Sequence, residues 1–251
     1  MATVGEIVVT VLAAPLSAAG EAWAAASAAE RERATAYQRS ADRDRSVLSA
    51  DLLRRLARQL GAAGVTRVCR VCGRVGHGRP VAVDAAGHAL AEVFLSSSHA
   101  GGWVVAAAAG VAIGVDCEPL ANTLDDATAA IALTPAERAA ADAAADPARA
   151  RLATWVKKEA LLKATGWGLA LEPATVQVTP TVTLPDPLAD SVTDIQFLDL
   201  PLDPAHLAVL AALTPQPVTL GTVPFVTLSR SVILSAAKDL SRHRDPSRSL
   251  S

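Results

Sequence analysis

The sequence predicts an α/β protein of the mixed α+β kind, built as a pseudo-twofold arrangement of two similar subdomains. Strand and helix patterns recur in both halves, each half runs strand, helices and more strands, and 251 residues suffice for a large core. We place the N-terminal half at residues 1–111 and the C-terminal half at residues 112–224. Residues 225–251 hold seven serines and four arginines and are expected to form a disordered tail outside the fold.

The N-terminal half is predicted to begin with a strand and continue with helices. Residues 5–13 (GEIVVTVLA) are rich in β-branched side chains, and residues 17–59 show helical spacing that ends near Gly61 and Gly64. Further strands are expected at residues 65–71, 81–84 and 89–99, with a glycine-rich turn at 72–80.

Two apolar runs, residues 103–110 and 111–120, are predicted to be neighbouring strands. Two helices are expected between residues 133 and 165, the first opened by a Thr134–Glu137 capping box and the second ended by Gly166. Short β segments are expected to close the sheet at residues 175–180, 193–201, 205–213 and 216–221.

Composition excludes several classes of protein. The net charge of -2 argues against a general nucleic-acid binder. The sequence contains no run of about 18 strongly apolar residues, so a membrane-spanning helix is not expected. The first residues lack the pattern of a signal peptide. Three cysteines make no disulfide framework, so we expect a cytoplasmic protein.

Two carboxylates lie at the end of a strand in Gly114-Val115-Asp116-Cys117-Glu118. Residues two apart in a strand face the same side, so Asp116 and Glu118 project together. Hard oxygen ligands without histidine or thiolate indicate Mg²⁺ rather than zinc. The alternative is an ordinary solvated strand end.

Three of the four lysines fall in one helical stretch, Trp155-Val156-Lys157-Lys158-Glu159-Ala160-Leu161-Leu162-Lys163, although the chain has 19 arginines. Glu159 and Lys163 share a helix face. A third carboxylate flanked by the ammonium groups of Lys158 and Lys163 is what a Mg²⁺-bound pyrophosphate needs. The alternative is a common surface Glu–Lys pair.

The run Ser98-His99-Ala100-Gly101 offers hydroxyl, imidazole and backbone donors to a phosphate. A Ser/His/Asp hydrolase is disfavoured, because no G-x-S-x-G elbow occurs and a serine directly before its histidine fits the usual geometry poorly. Taken alone, His99 would be read as a structural histidine.

Cys69, Cys72 and His77 resemble part of a zinc site. A fourth ligand is lacking, since Cys117 lies between two proposed Mg²⁺ ligands. The preferred interpretation is therefore a plain turn that leads to Gly78-Arg79-Pro80.

Read in order, these segments resemble the 4′-phosphopantetheinyl transferase superfamily, in particular its surfactin-synthetase-activating type. The resemblance rests on G-[IV]-D-x-E at Gly114–Glu118 and W-x-x-K-E-[AS]-x-x-K at Trp155–Lys163, preceded by Gly78-Arg79-Pro80 and Ser98-His99-Ala100-Gly101. It covers roughly residues 15–222. Two departures are Trp167, where the family often has a basic residue, and Ala100, where it often has serine.

The resemblance implies the 4′-phosphopantetheinyl transferase fold. It also implies a Mg²⁺-dependent (or Mn²⁺-dependent) transfer of the phosphopantetheine arm of coenzyme A. The acceptor is a serine of an apo acyl or peptidyl carrier protein, and the expected protein is a monomer that binds neither nucleic acid nor membrane. Asp116, Glu118 and Glu159 would hold the metal ion, and Glu159, Lys158 and Lys163 would be catalytic. The residues implied to bind coenzyme A are Arg33, Arg45, Gly78, Arg79, Pro80, Ser98, His99, Asp116, Lys158 and Lys163. A non-catalytic coenzyme A-binding relative and a Mg²⁺-dependent pyrophosphate hydrolase are the alternatives.

Overall fold

A computed structural model describes residues 5–186, 188–189 and 192–221. The part described has six α helices and two β sheets, so the predicted α+β class is confirmed. The expected tail at 225–251 lies outside the described residues. None of the described helices is both long and apolar enough to cross a membrane.

The N-terminal half contains three helices and five strands. Its strands are β1 (Ile7–Pro15), β2 (Gly64–Val68), β3 (Arg79–Val83), β4 (Ala89–Ala100) and β5 (Trp103–Ala109). Its helices are α1 (Ala19–Ala25), α2 (Ala28–Thr35) and α3 (Ser40–Gln59). These elements confirm the predicted strand–helices–strands order of this half.

The C-terminal half also contains three helices, and four strands follow β5 along the chain. Its strands are β6 (Ile113–Pro119), β7 (Ile195–Asp199), β8 (His206–Leu213) and β9 (Val218–Leu220). Its helices are α4 (Asp126–Ala132), α5 (Pro135–Asp142) and α6 (Pro147–Thr165). The predicted capping box closes on α5: Glu137 N–H donates to Thr134 Oγ1, and the Glu137 side chain accepts from Thr134 N–H.

The two sheets divide the strands differently from the sequence prediction. One sheet has the order β2-β3-β4-β5-β1-β9 and the other the order β6-β8-β7. Strands β5 and β6 therefore lie in different sheets rather than side by side. The late strands do not all close one sheet: β7 and β8 extend the second sheet, whereas β9 pairs in parallel with β1. Residues 175–180 form only an isolated bridge, between Gln177 and Thr183.

Three apolar cores stack the elements in layers. Helix α3 packs on the larger sheet, helix α6 packs on the smaller sheet, and a third core fills the space between the sheets. Helix α3 thus covers the larger sheet and helix α6 the smaller one, so each sheet has one long helix on its outer face. The division at residues 111 and 112 stays a prediction.

Candidate active site

The candidate site lies where helix α6 passes over strand β6. A Cβ atom added at Gly114 would overlap the backbone oxygen of Ala160 and the backbone nitrogen of Ala164, and would lie 2.9 Å from Lys163 Cβ. Only glycine therefore lets the helix approach the strand this closely. This contact sets the distance between the acids of β6 and the charged residues of α6.

The alternation predicted for β6 is confirmed. Val115 and Cys117 are fully buried in the core between the two sheets, on the opposite face from Asp116. Burial raises the pKa of the Cys117 thiol to about 12, with the nearby Asp116 carboxylate adding to the shift. Cys117 is therefore a core residue and offers no thiolate to a metal ion.

Asp116 is the most enclosed of the three acids, with 3% of its surface exposed. Its Oδ1 atom accepts hydrogen bonds from Ser98 Oγ at 2.7 Å and Lys163 Nζ at 2.6 Å. Its Oδ2 atom is buried and has no hydrogen-bond partner in the protein. Because an unpaired buried carboxylate oxygen is costly, Oδ2 fits a cation ligand.

Glu118 and Glu159 are half-buried acids beside Asp116. Burial raises the pKa of both carboxyl groups, and the charge of Asp116 raises both further. Lys163 opposes the shift in each case, and Asn122 Nδ2 donates to Glu118 Oε2 at 2.6 Å. Three acids thus concentrate negative charge at one place, which a divalent cation would relieve.

The three carboxylates do not converge on one point. Among the residues that the structure describes, no three carboxylate oxygens from different acids come within 4.8 Å of one another. Hard oxygen donors, an unpaired buried oxygen and mutual repulsion nevertheless fit Mg²⁺ or Mn²⁺, since Mg²⁺ keeps several waters and takes few carboxylates.

Lys163 reaches across from α6 to both sheets. Its ammonium donates to Asp116 Oδ1, to the Val115 carbonyl at 3.2 Å and to Ser98 Oγ at 3.2 Å. Burial alone lowers the pKa of Lys163, but the Asp116 carboxylate outweighs it and the net shift is upward. Lys163 therefore stays charged within the site, where we expected it.

The serine run of β4 joins the two sheets at this point. Ser96 Oγ accepts from the Val115 N–H at 3.0 Å, and Ser98 Oγ donates to Asp116. Ser97 faces the other side of the strand and accepts from Ser49 of α3 at 3.0 Å. The alternation of strand β4 thus gives Ser98 a role in orienting the acid.

Lys158 corrects the sequence expectation, which placed it beside the phosphates. Its side chain is completely buried, and its ammonium donates to Glu137 Oε2 at 2.5 Å and to the carbonyls of Ala132 and Pro173. Burial lowers its pKa, and the Glu137 carboxylate opposes that shift. With every donor directed into the protein, Lys158 cannot contact a bound phosphate in this structure.

A cavity of about 510 Å³ next to Lys163 brings together several residues predicted to bind coenzyme A. Arg33, Ser98, His99 and Gly78 line it, together with Arg67, which the sequence analysis did not select. Burial lowers the pKa of Arg67, and the charge of Arg33 lowers it further. Two guanidinium groups this close together repel each other, and they are suited to binding an anion between them.

A second cavity, of about 250 Å³, lies on the other side of Gly78. Gly78, Arg79, Pro80 and Lys163 line it, so this segment and Lys163 share one cavity wall, and their binding of coenzyme A stays a prediction. Trp167 also lines it, and the Arg70 guanidinium lies 4.8 Å from the centre of the Trp167 ring.

The Arg70–Trp167 contact bears on the first departure from the family pattern. Trp167 holds a guanidinium over its face, so a positive charge is present where the family often has a basic side chain. Arg70 Nη1 also donates to the Thr165 carbonyl at 2.9 Å, which fixes the arginine at the end of α6.

His99 lies at the end of strand β4, and Arg45 of helix α3 reaches the turn that follows it. Partial burial lowers the pKa of His99, and the charges of Arg45 and Lys163 lower it further. Arg45 donates to Asp42 Oδ1 at 2.7 Å and to the Gly101 carbonyl at 2.5 Å. Arg45 therefore fastens α3 to the turn after His99, and it does not line either cavity described above.

Sequence reasoning missed Arg67, Arg70 and the part played by Glu137. Arg67 could have been found from its position, because a charged side chain within the apolar strand β2 indicates a functional or structural role. Glu137 was visible as a capping residue, but its burial against Lys158 depends on how α5 packs on α6, which no local pattern shows.

Residues 112–201 match the family model of the 4′-phosphopantetheinyl transferase superfamily. The matched segment contains the three acids and Lys163 but not the arginines, Ser98 and His99 of the N-terminal half. No curated protein matches the chain.

Proposed function

We propose that this chain transfers the 4′-phosphopantetheine arm of coenzyme A to a serine of an apo acyl or peptidyl carrier protein. The serine oxygen forms a bond to the β-phosphorus, the bond from that phosphorus to the bridging oxygen breaks, and adenosine 3′,5′-bisphosphate leaves. The observation that carries the proposal is the group of three acids and Lys163 beside a cavity lined by arginines. The family match over residues 112–201 supports it.

Asp116, Glu118 and Glu159 would hold a divalent cation, for which Mg²⁺ is our candidate. When bound, the cation supplies charge neutralisation to a pyrophosphate. The unpaired Asp116 Oδ2 and the raised pKa of Glu118 and Glu159 support this ligand set.

Glu159 is proposed to receive the proton of the carrier serine, directly or through a water molecule. Its carboxyl group lies beside Asp116 and Glu118, and burial, with the charges of these two acids, raises its pKa above the ordinary value. A carboxylate positioned beside the reacting groups can serve as a general base. Lys163 would neutralise negative charge on the phosphates as the bond breaks.

The cavity of about 510 Å³ is proposed to take the nucleotide part of coenzyme A. Arg33 and Arg67 would contact a phosphate, and His99, whose pKa is lowered by burial, would offer a hydrogen bond. The walls come from both halves of one chain, which supports a monomer and the surfactin-synthetase-activating type.

Incubation with coenzyme A, Mg²⁺ and a panel of apo carrier proteins tests the proposal, with the carrier mass as readout. We expect one carrier to gain the mass of a phosphopantetheine group. Binding of coenzyme A without any transfer would indicate a non-catalytic relative, and cleaved coenzyme A with unmodified carriers would indicate a pyrophosphate hydrolase.

A further inference from the structure

Cys69, Cys72 and His77 come together in the loop between β2 and β3. Their two sulfur atoms and an imidazole nitrogen all lie within 4.8 Å of one another, and Cys72 Sγ is 3.3 Å from His77 Nε2. Cys69 is half-buried, and the other two side chains are exposed. Within the described residues, this is the one group of three such side chains so close together.

The backbone of the loop holds this arrangement. Cys69 N–H donates to the Arg74 carbonyl at 2.9 Å, and Gly73 N–H donates back to the Cys69 carbonyl at 2.9 Å. Gly73, directly after Cys72, has φ of 69°, a left-handed conformation that favours glycine. The turn is therefore set by hydrogen bonds and a glycine that do not depend on the cysteine side chains.

Gly78 closes the loop on its other side. It has φ of 87°, and a Cβ atom there would lie 2.6 Å from Cys69 Cα and 2.7 Å from Cys69 N. The chain passes so close to Cys69 immediately after His77 that only glycine fits at position 78. This close passage keeps His77 beside the two cysteines.

The Cys69 sulfur faces the backbone of its own turn, where the N–H groups of Cys72 and Val71 donate to it. Backbone donors of this kind commonly surround the sulfur ligands of a metal ion as well, because they spread the negative charge of the thiolate. Cys117 has the opposite environment, in the core.

We propose that Cys69, Cys72 and His77 bind a zinc ion, with a fourth position open to water. Two thiolates and one imidazole are the ligand types that zinc prefers, and three protein ligands with an open position are a known zinc arrangement. The thiol protons leave to solvent on binding. Two cysteines in one turn could also form a disulfide. The contact between the His77 imidazole and Cys72 favours a metal site over that alternative.

The site stands apart from the acid cluster but borders both cavities. Cys69 lines the cavity of about 250 Å³, and His77 lines that of about 510 Å³. Zinc here would fix the wall that carries Gly78, Arg79 and Pro80. The binding of zinc itself does not depend on the proposed transfer reaction.

Metal analysis of the full chain, purified in a reducing buffer without chelator, tests the proposal. We expect about one zinc ion per chain, and after its removal Co²⁺ should give the absorption of a thiolate-ligated tetrahedral site. The variant with Cys69→Ser and Cys72→Ser should lose zinc affinity by about 100-fold or more. Cys117→Ala is the matched cysteine control and should keep its zinc.

Two further measurements keep the proposal open to refutation. His77→Ala should weaken zinc binding, whereas His88→Ala, at an exposed histidine in the β3–β4 turn, should not. Amide hydrogen exchange in residues 69–78 should slow when zinc is added to the metal-free protein. Failure of folded wild-type protein to take up zinc, or a Cys69–Cys72 disulfide trapped at cell lysis, would overturn the assignment whether or not transfer occurs.

Discussion

Lys158 and Lys163 belong to the same motif of helix α6 but have different surroundings. Lys163 touches Asp116 and keeps 29% of its side chain exposed, so it can also meet a ligand. Lys158 is enclosed with Glu137 and two backbone carbonyls. Lys163 therefore faces the candidate site, and Lys158 connects α6, α5 and the segment after α6.

Replacing Lys158 should affect stability rather than the site. Lys158→Met leaves the buried Glu137 carboxylate without its cation, so the free energy of unfolding should fall by about 3–5 kcal/mol, measured by urea denaturation. Combining Lys158→Met with Glu137→Gln should recover part of that loss and remain folded for assay. A variant of normal stability that cannot bind coenzyme A would instead place Lys158 at the phosphates.

Replacing Glu159 should raise the stability of the protein and lower its activity. A carboxyl group with a raised folded-state pKa binds more protons folded than unfolded, so the free energy of unfolding falls as pH rises from the ordinary value of 4.5 toward the raised value. Glu159→Gln removes this effect. The variant should be more stable than wild type at neutral pH and less sensitive to pH, while transfer falls by about 100-fold or more.

Urea denaturation between pH 4.5 and neutrality measures the stability difference, and the carrier-mass assay measures transfer. Glu172→Gln, at an exposed glutamate, is the control and should change neither. Equal stability of Glu159→Gln and wild type across this range would show that burial and the neighbouring acids do not raise the pKa of Glu159.

At the scale of elements, the contact between α6 and β6 creates the site. The sequence predicted both elements, the common face of Asp116 and Glu118, and the end of α6 at Gly166, because these depend on local periodicity. It did not predict that β5 and β6 belong to different sheets, or that the Lys158 side chain is buried. Those outcomes depend on long-range packing, which strand alternation and helix spacing do not encode.

Gly114 gives a direct test of this contact. Gly114→Ala introduces a methyl group into the backbone of α6, so we expect the free energy of unfolding to fall by about 3 kcal/mol, with loss of transfer. Gly20→Ala, in helix α1, meets nothing within 4 Å and should be neutral or stabilising by up to about 1 kcal/mol. A Gly114→Ala protein as stable as wild type would refute the close approach.

At the scale of the whole molecule, the two halves contribute different parts of the site. The C-terminal half supplies the acids and Lys163, and the N-terminal half supplies Arg33, Arg67 and His99. Sequence motifs identified most of these residues, but only the packing of the two sheets places Lys163 in one cavity wall with Arg33, Arg67 and His99. The family match covers residues 112–201, which contain the three acids and Lys163, whereas Arg33, Arg67 and His99 lie outside the matched residues.

Residues 225–251 provide a prediction at the same scale. Their serine-rich composition predicts no contribution to the fold or to the site. A chain ending at residue 224 should keep the unfolding midpoint and transfer rate of the full chain within error. A folded but inactive truncated chain would show that this segment takes part in the reaction.

In the proposed function, the three acids hold a divalent cation, which in turn holds the pyrophosphate of coenzyme A. Calorimetric titration of coenzyme A into the protein, with and without Mg²⁺, measures this coupling directly. We predict that Mg²⁺ tightens coenzyme A binding to wild type by about 10-fold or more, and that Asp116→Asn largely abolishes this gain. Equal affinity for coenzyme A with and without Mg²⁺ would contradict the account.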